Sequence, residues 1–134
     1  MLKDIPFEKV EGVAIAIVPA KEDTGNKMWS VYILNLKNKP IDTVLISSSG
    51  YGSINGKKVK TSTLRFLFDT IRERTFVKIE PIDTKLFPIF NEFWVSFRLN
   101  GILYDKKYVF VPESITEANF TKIPLLNCRG VMIR

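Results

Sequence analysis

Apolar and polar residues alternate with period two along much of the chain, most clearly from Glu92 to Pro112. Phe93, Val95, Phe97 and Leu99 fall on one side of an extended backbone, and Trp94, Ser96 and Arg98 on the other. Asn100-Gly101 then breaks the alternation and suits a type I′ turn, whose two central residues need φ > 0. The segment therefore predicts a hairpin in which Leu99 faces Ile102, Phe97 faces Tyr104, Val95 faces Lys106 and Phe93 faces Tyr108. This row is expected in the core, with Lys106 displaced to the rim or removed by a bulge. On the opposite side Trp94 is expected opposite Lys107, and Ser96 opposite Asp105.

Weaker runs surround the hairpin. Val10 to Val18 is apolar at most positions on both faces and ends at Pro19, which predicts a strand covered on both sides. After the polar loop Ala20 to Lys27, a second strand is expected over Met28 to Leu36. A third runs over Ile41 to Ser48, with Val44, Leu45 and Ile46 as its most buried part. Ser49 to Lys58 holds Gly50, Gly52 and Asn55-Gly56 and reads as a loop. Leu64, Phe66 and Phe68 predict a strand from Val59 to about Asp69, with a helical turn inside Thr63 to Arg74 as the alternative. Thr75 to Ile79 is a fifth strand, ended by Pro81. Ser114-Ile115-Thr116-Glu117 has capping-box spacing and predicts one short helix near the C-terminus. The tail from Phe120 to Ile133 is expected to dock as irregular chain and a last edge strand.

About seven short strands with turns between them point to an all-β, antiparallel two-sheet sandwich of immunoglobulin-like or fibronectin-like topology. It is read as one domain over residues 1–134. A small closed barrel is the alternative.

Composition narrows the chemistry. A chain of 134 residues buries a sizeable core without a disulfide or metal staple. There is no histidine, the commonest metal ligand and general base, and a lone cysteine, Cys128, reads as a small packed hydrophobe. No cofactor and no metal site are expected. Acidic Asp4, Glu8 and Glu11 precede the first apolar run, Val13 to Val18, which is too short for a membrane helix or a signal-peptide core. A cytoplasmic protein without a membrane association is the expectation, and Asn119-Phe120-Thr121 is then a chance match to a glycosylation acceptor.

Catalytic motifs fail on spacing. Gly50-Tyr51-Gly52-Ser53-Ile54-Asn55-Gly56-Lys57 lacks both the Walker pattern and a dinucleotide fingerprint, and Ser47-Ser48-Ser49 has no histidine to act as a base. The net charge of +6 is scattered except at Lys57, Lys58 and Lys60. With Tyr51 these lysines form the candidate binding patch, and Trp94 beside Arg98 offers a stacking face if the outer side of its strand is exposed.

Three segments together, Lys60-Thr61-Ser62-Thr63-Leu64-Arg65, Asn91-Glu92-Phe93-Trp94-Val95 and Leu103-Tyr104-Asp105-Lys106-Lys107, resemble a family of small uncharacterised bacterial proteins. The resemblance spans roughly Trp29 to Val131. Some members carry a phenylalanyl-tRNA synthetase label, which does not extend to this chain: it is too short for a class II catalytic domain and lacks the arginine-containing motifs that hold ATP. The resemblance implies no activity and no site residues.

The function expected is therefore a non-enzymatic protein-interaction or accessory domain that meets a protein partner or a second copy through a sheet edge. A nucleic-acid-binding small barrel using the basic loop patch is the alternative, and an enzyme lacking histidine is the third reading.

Overall fold

In the computed structural model, which describes residues 10–20 and 28–134, the chain pairs into two antiparallel sheets that do not close into a barrel. Asp4 and Glu8 of the amino-terminal acidic stretch and nearly all of the loop Ala20 to Lys27 lie outside the described residues. The described strands are β1 (Val13–Val18), β2 (Met28–Asn35), β3 (Ile41–Ile54), β4 (Lys57–Lys60), β5 (Leu64–Ile71), β6 (Thr75–Asp83), β7 (Phe90–Leu99), β8 (Ile102–Phe110), β9 (Thr121–Ile123) and β10 (Cys128–Ile133). The first sheet runs β6-β2-β1-β10-β9. The second runs β4-β3-β7-β8, with β5 pairing β3 on the same side as β4. No helix among the described residues is long and apolar enough to cross a membrane.

The β7–β8 hairpin has the expected register at every position, from Leu99↔Ile102 to Phe93↔Tyr108. Asn100 and Gly101 have φ of 53° and 75°, the left-handed pair that a type I′ turn requires. Phe93, Val95 and Phe97 are buried, and Trp94 and Arg98 are exposed. There is no bulge. Lys106 instead reaches the rim, where its Nζ donates to the Arg134 carbonyl at 2.7 Å and lies 5.0 Å from the Tyr108 ring centroid.

The core lies between the sheets. Val13, Ile15 and Ile17 of β1 and Val31 and Ile33 of β2 meet Val44 and Ile46 of β3 and the buried row of the hairpin. Tyr108, fully buried, donates its hydroxyl to the Val13 carbonyl at 2.7 Å, a polar tie between the sheets. Burial pushes its phenol far above the usual range, so the proton needed for that bond stays in place. Asn35 is another buried polar knot. Its Nδ2 donates to the carbonyls of Lys39, Ile71 and Arg72, fastening the ends of β2 and β5.

β1 is buried along its whole length, as its two apolar sides require. Other expectations are corrected. Ser49 to Lys58 is not a loop: β3 continues to Ile54 and turns at Asn55-Gly56 into β4, with Asn55 at φ 52° and Gly56 at 78°. The two glycines that suggested a loop lie inside β3 because both press on Ile89, where a side chain has little room. The stretch Thr63 to Arg74 holds strand β5 and no helical turn. β6 runs through Pro81, which it tolerates as the edge strand of its sheet.

The helix expected at Ser114 is a 3₁₀ turn over Glu117–Asn119, capped by Thr116. Ser114 donates to the Val111 carbonyl at 2.6 Å instead. The chain must be extended again at Thr121 to pair as β9, which leaves no length for an α-helical turn. β10 is not an edge: it lies between β1 and β9.

Candidate functional site

Strand alternation sends every second residue of β3, β5, β7 and β8 to the outer face of the second sheet. Ladder partners line these residues up across the strands. Leu67, Leu45, Ser96 and Asp105 form one row, and Arg65, Ser47, Trp94 and Lys107 the next. Beyond them Glu92 lies opposite Ser49 and Val109, and Tyr51 lies between Lys60 and Phe90. At the other end Arg98 pairs with Leu103.

This face is apolar and open at once. Leu45 is 42% exposed, Trp94 46%, Leu67 64% and Leu103 67%. These large apolar side chains share one exposed sheet face, and Arg65, Arg98 and Lys107 border them. Lys107 Nζ lies over the Trp94 ring, 5.6 Å from its centroid, a cation–π contact.

The structure brings together Tyr51, Lys58 and Lys60, which line a shallow recess of about 390 Å³ with Ser53 and Val59. Lys57 is opposite Ile54 in the ladder and therefore points to the other side of β4. The Tyr51 ring is stacked on Phe90 at 5.2 Å and 6°, and its hydroxyl donates to Glu92 Oε1 at 3.2 Å. Desolvation, the negative charge of Glu92 and that hydrogen bond, in this order, push the phenol pKa up. Lys107 Nζ lies 3.9 Å from the same carboxylate oxygen. The predicted cationic patch is thus three residues with an acidic neighbour rather than four lysine and tyrosine groups on one loop.

Trp94 and Arg98 stand on this exposed face together, the condition under which they were singled out. Leu45, Leu67, Leu103 and Arg65 were not. Leu45 was expected among the most buried residues of its strand, because Val44-Leu45-Ile46 is apolar without a break. A ladder irregularity between Asp42 and Leu45, with Thr43 at φ 50°, settles which of the three faces out. Strict alternation was the available signal: only Val44 and Ile46 can share the inner face.

Two of the recesses found elsewhere are lined in part by titratable side chains. One, of about 1030 Å³, opens on the first sheet between Tyr32, Phe76, Phe120, Leu126 and Cys128. Cys128 is a half-buried free thiol packed on the outer apolar cluster of that sheet. The other, of about 260 Å³, lies between the sheets beside Ser48, Thr61 and Glu80. Desolvation raises the Glu80 carboxyl, and a hydrogen bond with Ser48 opposes part of that rise. Among the described residues no three His, Cys, Asp or Glu side chains gather in a way that would hold a metal ion.

No protein-family model matches the chain, and no curated protein matches it either.

Proposed function

We propose that this chain is a non-enzymatic protein-interaction or accessory domain that seats a partner on the outer face of its second sheet. The observation that carries the reading is the exposure of Leu45, Leu67, Trp94 and Leu103 on one flat surface bordered by Arg65, Arg98 and Lys107. An apolar centre whose rim carries both signs, Arg65, Arg98 and Lys107 together with Asp69, Glu92 and Asp105, suits a protein surface of apolar residues edged with charges of both signs. Tryptophan in such a centre supplies a large share of binding energy when a partner covers it. The immunoglobulin-like or fibronectin-like comparison belongs to the same proposal, supported by the antiparallel two-sheet layering. A cytoplasmic location is supported by the lone cysteine.

The nucleic-acid reading rests on Tyr51, Lys58 and Lys60 sharing a face. It is the weaker of the two, because Glu92 sits among those groups and the Tyr51 ring already stacks on Phe90. The enzyme reading has less support again: Ser48 and Glu80 do set a hydroxyl beside a carboxylate, but in a recess of only about 260 Å³ where Ser48 is buried.

The test compares immobilised wild-type protein with a Trp94→Ser/Leu45→Ser variant in extracts of the native cell. Proteins held by the first and lost from the second are expected. Identical eluates overturn the reading, and salt-sensitive retention on heparin that survives the double substitution favours nucleic acid in its place.

A further inference from the structure

The second sheet ends laterally in β8 on one side and, along the first half of β3, in β5 on the other. An edge strand presents unpaired N–H and C=O groups, and proteins blunt such edges with prolines, bulges or charges aimed inward. β8 is blunted in this way. Lys106 lies in the middle of its inward row, with its ammonium group held at the rim by the Arg134 carbonyl.

β5 is not. Its sequence, Leu64 to Ile71, has no proline, and its ladder with β3 steps over only one position, opposite Thr43 and Asp69 at the far end. Its inward row carries Phe66 and Phe68, half-buried and uncharged. The direction of its backbone groups follows from the ladder. Gly50 accepts from the Thr61 amide and donates to the Thr61 hydroxyl, so even-numbered residues near this end of β3 bond toward the β4–β5 side. With Ile46 opposite Phe66 and Ser48 opposite Leu64, the even residues of β5 bond back to β3. Arg65, Leu67 and Asp69 then direct their N–H and C=O groups out of the sheet. Their side chains stand on its open face: Leu67 is 64% exposed, and among the described residues the side chains of Arg65 and Asp69 have neither an ion-pair nor a hydrogen-bond partner.

Read outward from Leu67, this edge is its own complement. We propose that two copies of the chain pair antiparallel along β5, with the two-fold axis at Leu67. Each Arg65 then faces the second copy's Asp69, the two Leu67 side chains meet, and Phe66 faces the second copy's Phe68 on the inner side. Moving the axis by one residue in either direction keeps the hydrogen-bonding sense of the edge but sets a charge of the Arg65–Asp69 row against Leu67. Only the Leu67-centred register pairs the charges. It also continues the apolar row Leu45–Leu67 into its copy. The dimer uses Leu67 and Arg65 of the face described above but does not rest on the partner proposed there, whose test turns on Trp94 and Leu45.

Sedimentation equilibrium of the full chain from micromolar to millimolar concentration tests it. Wild type is expected to form a dimer, and amide exchange at Arg65, Leu67 and Asp69 is expected to slow as the dimer forms. Arg65→Asp and Asp69→Arg each place like charges opposite one another twice and are expected to weaken the dimer by roughly tenfold or more. An equimolar mixture of the two variants restores both attractions and is expected to dimerise like wild type. A wild-type monomer at every concentration overturns the proposal. So does a dimer that either charge change leaves intact, or a mixture that stays monomeric while each variant keeps the strand circular dichroism of wild type.

Discussion

The outer faces of the two sheets are both apolar, and the first is mostly covered, with Phe76 its one exposed large apolar side chain among the described residues. On the first sheet Ala14, Ala16, Val18, Leu34 and Ile123 form a second buried cluster, overlaid by Tyr32, Leu36, Leu126 and Met132. On the second sheet Leu45, Leu67 and Trp94 stand in solvent. Equivalent chemistry therefore has different consequences: covered apolar side chains stabilise the fold through burial, and uncovered ones add little to it.

The largest expected effect contrasts one leucine from each face. Leu34→Ala removes a fully buried side chain and is expected to cost about 2 to 5 kcal/mol of unfolding free energy. Leu67→Ala is expected to change it by no more than about 0.5 kcal/mol in the monomer. Urea denaturation of both variants at low concentration checks this, and equal losses would erase the distinction between the faces.

The covered side is also tight at the backbone. A Cβ on Gly130 of β10 would lie 2.5 Å from the Ile17 carbonyl oxygen and 2.8 Å from Val18 Cγ1. Gly130→Ala is accordingly expected to destabilise by about 1 to 3 kcal/mol. A melting temperature equal to that of wild type would show that β1 and β10 can separate at no cost.

Tyr108→Phe tests the tie beneath both faces. The Val13 carbonyl would lose its buried donor, for an expected cost of about 1 to 3 kcal/mol. Amide exchange should accelerate in β1 and β8 together; acceleration in one alone would mean that the sheets are not coupled through this bond.

The smallest effect is pH-dependent. Because burial raises the Glu80 pKa, the folded state takes up its proton at higher pH than the unfolded state does. Stability contributed at this residue is therefore present at low pH and lost as pH rises through the raised value. Glu80→Gln keeps a hydrogen-bonding group near Ser48 without the charge. It is expected to stabilise the protein at neutral pH, with the difference shrinking as pH falls toward the ordinary value of 4.5. A difference that is independent of pH would place the Glu80 carboxylate in water.

The hairpin was legible in full because its information is local. A two-residue Asn-Gly turn sets the register, and alternation sets the faces. β1 was legible for a related reason: six consecutive apolar residues have only one comfortable environment, between two covered faces. The segment from Ser49 to Lys58 misled because glycines signal turns and close packing equally. Gly50 and Gly52 are small to admit Ile89, a neighbour almost forty residues away in sequence.

The candidate face shows the same division. Trp94 and Arg98 could be assigned to one side of their strand from the alternation. Their company could not: Leu45 joins Trp94 only because β3 pairs β7 in a register shifted at Thr43, and Leu67 joins Leu45 only because β5 pairs the opposite side of β3. Lys57 parts from Lys58 and Lys60 because adjacent residues of a strand point to opposite faces once the segment is a strand at all.

By itself the sequence determined the all-β class, the hairpin and its register, and the identity of most inward residues, all of which follow from period-two patterning and short-range turn chemistry. Tertiary structure alone decided which apolar faces are covered, which edge of the second sheet stays open, and which charges stand opposite one another. Those depend on pairings between strands distant in the chain, where the side chain that covers or opposes a residue leaves no trace in that residue's own neighbourhood.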